Sequence, residues 1–433
     1  MVEKPLRIAL LTYRGNPRSG GQGVYVRLLG RALQELGHRV DVWSGPPYPE
    51  LTRGVRLVRV PSLELWEGAP PFRWPSLQEL SDPINLAEFT RTRFGEFPEP
   101  LTFSQRVARE FARTRPRYDV VHDNQCLGPG LLALRQQVPV VATVHHPITF
   151  DRRHAMDASR NWLRRMGVRR FYSFVPTQIQ VARRLSRILT VSECSKRDIV
   201  DEFGVPPERL RVIFNGVDVA LFRSLPDVPR RNDLVVSTLS ADQPLKGFRY
   251  LLEAFARLRR ARPGLRLRVV GSPGERTDTR RRLRRLGLEQ AVEFTGRVPA
   301  EDIVRMYAEA TVAVVPSLYE GFGFPAAEAM ACEVPVVSTR GGALPEVVGE
   351  GGETGLLVAP GDAEALADAV GQLLDDPARR ARVGKAGRDR VLRHFTWKAA
   401  AERTVAAYHE AIAEHARRRA APGAAAGRRR VAC

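Results

Sequence analysis

The alternation of apolar runs and polar segments along the chain predicts strands and helices in a regular order. "LRIALLTY" is an apolar run of strand length, and a Gly-rich turn follows it. The next segment, "VYVRLLGRALQELG", carries apolar side chains at helical spacing, namely Val24, Leu28, Leu29, Ala32, Leu33 and Leu36. "HRVDVWSG" then returns as a strand. This order is a βαβ unit, which implies parallel strands with helices on the faces of the sheet.

The same alternation recurs twice along the chain. "YDVVHD", "VPVVATVHH", "RILTVS" and "LRVIFNG" continue the first series, and "LVVSTLS", "LRLRVVG", "VEFTG", "VAVVPS", "VPVVST" and "GLLV" form the second. We therefore predict an α/β protein with two doubly wound domains, at residues 1–218 and 219–395. A long amphipathic helix at 396–418 and a disordered basic tail at 419–433 complete the prediction.

Residues 48–100 interrupt this pattern with crowded prolines and aromatic residues, as in "GPPYPELT" and "EGAPPFRWPSLQEL". An insertion after an early strand lies beside the carboxyl edge of an α/β sheet, where such folds bind ligands. A surface loop without a role accounts for the same composition equally well. The sequence leaves both interpretations open.

Composition narrows the class of protein without choosing a function. The chain of 433 residues is 43% hydrophobic, and no segment approaches the roughly 18 apolar residues that span a bilayer, so we expect a cytoplasmic protein. The four cysteines are too scattered for a zinc site or a disulfide framework. The formal net charge of +20 fits nucleic acid, anionic lipid or a merely Arg-rich composition.

The segment "SLYEGFGFPAAEAMA" predicts a bend between a strand and a helix. The strand ends near Ser317, and the helix starts near Pro325 because proline suits the first helical position. Backbone N–H groups at such a helix start have no helical partner and attract anions. The predicted donors are those of Phe322, Gly323, Phe324 and Ala326.

Two carboxylates flank this bend. Glu320 stands before it and Glu328 lies in the first helical turn. Carboxylates accept hydrogen bonds from paired hydroxyls, so a molecule that combines sugar hydroxyls with phosphate would suit the loop. The alternative is that Glu328 is an ordinary favourable charge near a helix start and Glu320 a solvated loop residue.

Basic and glycine residues occupy other strand-to-helix turns. Lys246 in "ADQPLKGF" follows a strand and precedes a helix, which places an ammonium group at the edge of the sheet; a solvated lysine is the alternative. Gly20 and Gly21 lie at the first such turn and favour a close approach of backbone to a phosphate or to an acceptor over a plain tight turn.

Three histidines follow apolar strands: His122 in "YDVVHDNQ", and His145 and His146 in "VATVHHPITF". A histidine at a strand end is more often a hydrogen-bonded structural group than a catalytic one. The residues alone therefore do not assign these three side chains a role.

Taken in order, these motifs resemble the retaining GT-B glycosyltransferases of family 4, over nearly all of residues 6–410. The segments that carry the resemblance are "GGQGVYV", "DVVHDNQ", "VATVHHPITF", "LTVSECSKRDI", "NGVD", "LKGFRYLLEAF", "RVVG", "FTGRV", "SLYEGFGFPAAEAMACEVPVVSTRGGALPEVV" and "FTW…Y". The resemblance implies the GT-B fold, two Rossmann-like domains with an interdomain cleft, and a last helix that crosses back to the first domain.

The resemblance also implies roles for individual residues. His145, in the family's T-x-H register, Lys246 and Glu320 would be catalytic, with His146 the alternative if the strand is shifted by one residue. The implied donor-binding set is Gly20, Gly21, Lys246, Gly271, Arg297, Val298, Glu320, Gly321, Phe322, Gly323, Phe324 and Glu328. The implied acceptor contacts are His122, Asn124 and His146. Ala241 stands where the family usually carries an arginine.

The implied reaction is the transfer of a hexosyl group from a UDP-, GDP- or ADP-sugar to a lipid, glycan or small-molecule acceptor. Anomeric configuration is retained, and neither a metal nor a further cofactor is expected. Lys246 and the amides would carry the diphosphate charge, Glu328 would hold the ribose, and Glu320 would orient the donor sugar. The alternative is a noncatalytic nucleotide-sugar-binding protein or a basic protein that binds nucleic acid.

An Arg-rich segment, "FDRRHAMDASRNWLRRMGVRR", bears on the acceptor. A basic amphipathic helix with a tryptophan is typical of an element on an anionic membrane surface. A solvated helix face in an Arg-rich protein is at least as good an interpretation. Peripheral membrane contact and a lipid acceptor therefore stay open.

Overall fold

The computed structural model describes residues 4–16, 21–65, 73–157, 159, 161–238, 243–272 and 278–420. These residues divide into two compact units. Unit 1 contains those within Met1–Val191, Lys196–Ile213 and Ala400–Cys433, and unit 2 contains Ser192–Ser195 and those within Phe214–Ala399. Residues 421–433 of the predicted tail lie outside the described residues.

Unit 1 is built on a parallel sheet. Its strands are β1 (Arg7–Thr12), β2 (Arg39–Ser44), β3 (Arg56–Arg59), β4 (Val120–Asn124), β5 (Val140–Val144), β6 (Arg187–Thr190) and β7 (Leu210–Val212). The helices between its strands are α1 (Gly21–Glu35), α2 (Leu77–Leu80), α3 (Pro83–Arg93), α4 (Glu99–Thr114), α5 (Gly130–Leu134), α6 (Thr149–Asp157), α7 (Trp162–Phe171), α8 (Val175–Arg184) and α9 (Glu193–Phe203). In the described ranges the strand order is β3-β2-β1-β4-β5-β6-β7.

Unit 2 repeats this construction. Its strands are β8 (Leu234–Thr238), β9 (Arg266–Val270), β10 (Val292–Phe294), β11 (Val312–Val315), β12 (Val336–Thr339) and β13 (Leu356–Val358), in the order β10-β9-β8-β11-β12-β13. Its helices are α10 (Phe248–Ala261), α11 (Thr279–Arg285), α12 (Ala300–Glu309), α13 (Phe324–Ala331), α14 (Leu344–Val348), α15 (Ala363–Asp375) and α16 (Pro377–His394). The last helix, α17 (Trp397–Ala420), starts in unit 2 and belongs to unit 1 from Ala400 onward.

The sequence pattern explains both sheets. β4, β5, β11 and β12 are buried along their whole length, because helices cover both faces of a parallel sheet and continuous apolar runs fit that position. Counted from its own first strand, each described sheet contains the order 3-2-1-4-5-6, with β7 added in unit 1. The prediction of two doubly wound domains is confirmed. In this order successive strands are added first on one side of strand 1 and then, from strand 4 onward, on its other side. Ligands bind at this switch point, at the carboxyl edge of the sheet.

Residues 48–100 contain regular structure that their composition concealed. β3 pairs with β2 in parallel, and α2 and α3 follow in the chain. Ser76 and Glu79 form a capping box at the start of α2, and the Asp82 carboxylate accepts the Ile84 N–H at the start of α3. The surface-loop interpretation is therefore wrong for much of the described part of this segment.

A buried ion pair ties α3 to α4. Arg106 Nη1 donates to Glu88 Oε2 at 2.6 Å, and both side chains are almost fully buried, at 7% and 3% exposure. Glu88 Oε1 also accepts the Leu63 N–H at 3.2 Å, and Arg106 Nη2 donates to Asn85 Oδ1 at 2.7 Å. These hydrogen bonds satisfy both charges and hold the inserted segment onto α4.

In the part of the chain that the structure describes, none of the helices is both long enough and apolar enough to cross a lipid bilayer.

Replacing Glu88 by Gln should destabilise unit 1 strongly, because Arg106 would keep its charge without a buried counter-ion. We expect a loss of about 3–5 kcal/mol of unfolding free energy, measured by urea unfolding. Glu110→Gln is the matched control, because it removes an exposed partner of Arg113 on the same α4 and should cost less than about 1 kcal/mol. Equal losses for the two variants would contradict this account of the inserted segment.

Candidate functional site

The carboxyl edge of the second sheet gathers the predicted donor-binding residues of unit 2. Lys246 ends a short 3-10 turn after β8, and Gly271 follows β9 directly. Arg297 and Val298 come after β10, and residues 320–324 come after β11. Because β10, β9, β8 and β11 are neighbours in that order, their turns lie side by side along one edge.

The central polar contact of this edge joins Lys246 to Glu320. The Lys246 ammonium donates to Glu320 Oε1 at 2.7 Å, and the two side chains are 27% and 11% exposed. The Ser317 hydroxyl donates to the same oxygen at 2.8 Å. Within the described ranges Glu320 Oε2 accepts no hydrogen bond. The carboxylate is thus held through one oxygen and keeps the other for further donors.

Backbone contacts hold the two loops together. The Leu318 N–H donates to the Leu245 carbonyl at 2.7 Å, and the Ala343 N–H donates to the Glu320 carbonyl at 2.8 Å. Gly247, directly after the lysine, has φ +67°, and a Cβ there would lie 1.9 Å from the Pro316 carbonyl oxygen. Only glycine fits where these two loops cross. The crossing fixes the backbone position from which the Lys246 side chain reaches the Glu320 carboxylate.

The start of α13 presents unpaired amides, with one correction to the prediction. Gly323 is the N-cap residue with φ +101°, and helical bonding begins at once because the Ala326 N–H donates to its carbonyl at 3.1 Å. Ala326 is therefore not a free donor. The amides of Phe322, Gly323 and Phe324 have no hydrogen-bond partner in the described part of the chain, and they lie at the positive end of the helix dipole.

Glu328 lies on α13 in an environment that disfavours its charge. Burial raises the pKa of Glu328 to about 8. Its carboxyl group makes no hydrogen bond to any described residue. A desolvated carboxyl without a partner is costly in a folded protein, and a ligand that supplies hydroxyl donors would relieve that cost.

Gly271, Arg297 and Val298 border the same edge. The Gly296 N–H donates to the Gly271 carbonyl at 3.1 Å, and this bridge joins the turns after β9 and β10. Arg297 is exposed beside it and Val298 is half-buried. An exposed cation and a small apolar surface therefore border the same edge of the sheet as the Lys246 turn.

In unit 1, the carboxyl edges of β4 and β5 bring Asn124 and His145 into contact. His145 Nε2 lies 2.7 Å from Asn124 Oδ1, and Asn124 Nδ2 donates to the Gln22 carbonyl at 3.3 Å. Since Asn124 presents its oxygen to the ring, the hydrogen on the histidine lies on Nε2. Burial, with a smaller contribution from His146, lowers the pKa of His145 to about 3. His145 is therefore a neutral imidazole of defined tautomer at neutral pH.

His122 is a structural residue in this fold. It is 1% exposed, its Nδ1 lies 2.7 Å from the Tyr408 hydroxyl, and its Nε2 lies 2.6 Å from the Thr143 hydroxyl. Burial lowers its pKa to about 3. With both ring nitrogens engaged inside the protein, His122 has no atom to offer an acceptor, which argues against the contact that the resemblance implies.

His146 turns away from His145. Its Nε2 lies 2.8 Å from the Asp151 carboxylate of α6, so the end of β5 is tied to the next helix. Gln125 links both histidines, because its Oε1 accepts the His145 N–H at 2.7 Å and its Nε2 donates to the His146 carbonyl at 2.8 Å.

The first glycine turn is described only in part. Gly20 lies outside the described residues, as does Ala241 after β8. Gly21 starts α1, and a Cβ on it would meet no atom within 4 Å. Glycine is required at position 23 instead, because a Cβ on Gly23 would lie 2.3 Å from the Asn16 carbonyl oxygen.

Sequence reasoning missed three polar residues of these edges: Ser317, Gln125 and Tyr25. The Tyr25 hydroxyl lies 3.1 Å from the Thr143 hydroxyl, and its ring packs edge-on against His145 with centroids 4.7 Å apart. Ser317 was visible two residues after an apolar strand and three positions before Glu320. Gln125 and Tyr25 gave no local signal, because their partners lie at a distance in the sequence.

Among the described residues, no three His, Cys, Asp or Glu side chains are grouped so that they could hold a metal ion.

Two doubly wound units with polar groups at their carboxyl edges are the features expected of a GT-B glycosyltransferase, and comparisons with known proteins assign the chain to that class. The "Glycosyl transferases group 1" family matches residues 227–390, and "Glycosyltransferase Family 4" matches residues 19–221. The MMP alpha-(1->4)-mannosyltransferase of Mycolicibacterium hassiacum is 48% identical over 410 residues, covering 94% of this chain and 99% of that protein. The D-inositol 3-phosphate glycosyltransferase of Acidothermus cellulolyticus is 32% identical, over 95% and 91%.

Solved structures show the same fold. Sucrose-phosphate synthase from Thermosynechococcus elongatus has a TM-score of 0.70 at 28% identity, covering 94% of this chain and all of that one. Anabaena Alr3699/HepE, solved in complex with UDP, has a TM-score of 0.67 at 20% identity, with coverages of 94% and 100%. The chain belongs to glycosyltransferase family 4 and is a glycosyltransferase, as the resemblance implied.

The raised pKa of Glu328 predicts a pH-dependent cost to stability. Between about pH 5 and pH 8 the carboxyl is ionised in the unfolded chain but protonated in the fold, so stability falls as pH rises through this window. Glu328→Gln lacks this titration. Its stability relative to the wild type should therefore rise by up to about 1.4 kcal/mol per pH unit across the window.

Urea unfolding at several pH values measures this difference. Glu364→Gln, an exposed position on α15 of the same unit, is the control. Parallel pH profiles for the wild type and Glu328→Gln would show that the Glu328 carboxyl is not desolvated.

Proposed function

We propose that this enzyme transfers a mannosyl group from a nucleotide-diphosphate mannose to a sugar hydroxyl in an α-(1→4) linkage. Configuration is retained and no metal is required. The relative from Mycolicibacterium hassiacum, named as an alpha-(1->4)-mannosyltransferase, supports this linkage through 48% identity over nearly its whole length. HepE structures with UDP and UDP-glucose support a nucleotide-sugar donor. The donor base is left unassigned.

The observation that carries the proposal is the Lys246–Glu320 pair beside the unpaired amides of α13. A donor diphosphate at this edge would accept hydrogen bonds from the amides of Phe322 to Phe324 and draw the ammonium of Lys246 toward its leaving oxygen. The fixed cation would stabilise the charge that develops there without a metal. Glu320 Oε1, which Lys246 contacts in this structure, would then accept hydrogen bonds from hydroxyls of the donor sugar.

The two carboxylates have different tasks in this proposal. Glu320 is paired with a cation and would orient the sugar, whereas Glu328 is desolvated and would accept hydrogen bonds from the ribose hydroxyls. Neither resembles a glycosidase pair, in which an acid and a nucleophile flank the same bond. His145 would act as a neutral hydrogen-bonding group to a sugar hydroxyl, because burial lowers its pKa to about 3 and keeps the imidazole uncharged at neutral pH.

The acceptor would bind at the carboxyl edge of unit 1, near Asn124 and His146. The nucleic-acid alternative rests on the charge of +20, but many arginines are already paired with carboxylates, for example Arg257, Arg262 and Arg268. A noncatalytic sugar-nucleotide binder would share the donor site and differ only in turnover.

Donor binding tests the Lys246 assignment. Isothermal titration of UDP-, GDP- and ADP-mannose and the matching glucose donors should yield one preferred donor for the wild type. Lys246→Ala should weaken its binding by about ten- to a hundredfold, since a charge-assisted contact to the diphosphate is lost. Lys385→Ala, which removes an exposed lysine of α16, should bind like the wild type.

The outcome separates the alternatives. Turnover in EDTA, with the anomeric configuration of the product read by NMR, completes the test. If no sugar nucleotide binds but DNA binds in a salt-sensitive way, the proposed mannosyl transfer is wrong. Unchanged donor affinity in Lys246→Ala would overturn the site assignment.

We further propose a cytoplasmic enzyme that contacts anionic membranes through α7. This helix exposes Trp162, Leu163 and Met166, with exposed fractions of 70%, 57% and 38%. Arg164 and Arg165 lie among them, so apolar side chains and cations are presented together.

Vesicle sedimentation tests this contact. Vesicles with about a third anionic lipid should retain the wild type, and Trp162→Ala with Leu163→Ala should release it, because apolar insertion and charge act together. Leu86→Ala, at an exposed apolar position on α3, is the control. If the wild type stays in the supernatant at low salt, α7 is only a solvated face.

A further inference from the structure

A cavity of about 500 Å³ lies in unit 1 where α6, α7 and the start of α8 come together. Its volume falls in the range of roughly 300–1,000 Å³ that is typical of small-molecule sites. Its wall combines cationic, hydroxyl and apolar groups, among them Thr149, Arg152, Arg153, Met156, Arg169 and Tyr172. These residues lie outside the proposed donor site.

The charges on this wall are unbalanced. Arg153 is neutralised by Glu202 and lies over the Phe150 ring, 5.3 Å from its centroid. The Glu202 charge also acts on Arg152, and Arg169 forms no ion pair among the residues that the structure describes. Three guanidinium groups on one concave surface with a single carboxylate beside them create a local positive potential and attract an anion.

Hydroxyl groups add to this anion-binding character. Thr149 is 4% exposed, and its hydroxyl lies beside the Glu202 carboxylate. Tyr172 is half-buried, and burial and the nearby Asp151 raise the pKa of Tyr172, so its hydroxyl stays protonated. The Tyr172 hydroxyl can donate a hydrogen bond to an anionic oxygen in the cavity, whereas the Thr149 hydroxyl faces Glu202.

The start of α8 also faces the cavity. Ser173 and Pro176 line it, and α8 runs for ten residues from Val175, so the positive end of its dipole lies there. The side chains of Met156 and Tyr172 supply an apolar surface against which a sugar ring can pack. The cavity therefore offers positive charge and hydroxyl donors beside a nonpolar wall.

We propose that this cavity binds a phosphate group attached to the acceptor. A dianionic phosphate monoester matches the excess of the three guanidinium charges over the one Glu202 carboxylate, and planar guanidinium groups suit phosphate oxygens. The cavity is linked to the acceptor edge, since α6 carries Asp151, the partner of His146, next to Arg152. This inference rests on the proposed function, in which unit 1 receives the acceptor. The phosphate could belong to a soluble sugar phosphate or to a lipid headgroup.

Inorganic phosphate is the first probe. Titration of the full chain, followed by calorimetry, should show that the double variant Arg152→Met, Arg169→Met binds phosphate at least about tenfold more weakly than the wild type. The matched control is Arg115→Met, Arg117→Met, which removes the same charge from exposed positions of unit 1 that lie outside the cavity and outside α7. Phosphate bound at the donor edge contributes equally to both variants, so their difference reports the cavity.

Two further arms identify the source of the phosphate. If it is soluble, mannose 6-phosphate should compete with inorganic phosphate in the control variant but not in the cavity variant. If it is a headgroup, vesicles that contain phosphatidic acid should bind the cavity variant more weakly than the control, whereas vesicles of phosphatidylcholine should not distinguish the two.

Equal phosphate affinity in the cavity and control variants would overturn the inference. Donor affinity is measured on the same preparations and confirms that each variant is folded. If the wild type binds a sugar nucleotide while the phosphate difference is absent, only the cavity assignment fails. If the wild type binds no sugar nucleotide, the proposed function fails instead, whatever the phosphate titration gives.

Discussion

Parallel pairing sends the carboxyl ends of all strands in a sheet to the same edge. Every pairing between the described strands is parallel in both units. At that edge the backbone leaves the ladder and enters a helix, so amides lose their partners and short polar side chains can surround a ligand. In unit 2 the turn after β8 and the loop after β11 lie at the point where the strand order changes side. In unit 1 the ends of β4 and β5 lie next to the corresponding point, which is between β1 and β4.

Desolvation gives chemically similar side chains different properties at these edges. Glu320 is held by Lys246 and Ser317, so its charge has protein partners. Glu328, eight residues further along, has none and resists ionisation. Likewise His122 and His145 are both kept neutral by burial, but His122 is enclosed by hydroxyl groups whereas His145 stands at the end of its strand. Position in the fold, more than residue type, therefore separates binding groups from structural ones.

The apolar pattern predicted most of the fold, because strands that are buried on both faces leave a continuous signal. It missed β3, whose four residues "RLVR" lie at the edge of the sheet and bury little. It also missed α2 and α3, although Ser76 with Glu79 and Asp82 before Pro83 are helix-start signals that the surrounding prolines obscured. Local propensity carried more information there than composition did.

Local motifs placed the Lys246 turn and the loop from Glu320 to Phe324 on one edge, because each follows a strand directly. They could not foresee that Ala326 is already bonded within the helix, since that depends on the αL conformation of Gly323. Nor could they foresee the burial of His122, whose partner Tyr408 is 286 residues away. Contacts of such separation are set by the tertiary structure, and no local pattern reports them.

The bond from Tyr408 to His122 has a consequence for the biogenesis of the protein. The core of unit 1 takes in residues from Ala400 onward, so this unit is the first to be synthesised but the last to be completed. Until α17 has left the ribosome, the Nδ1 atom of His122 lacks its Tyr408 partner and the apolar face that α17 covers stays open to solvent. The nascent chain therefore carries an incomplete unit 1 while unit 2 is synthesised. Chaperones and proteases can act on the exposed apolar surface during that interval.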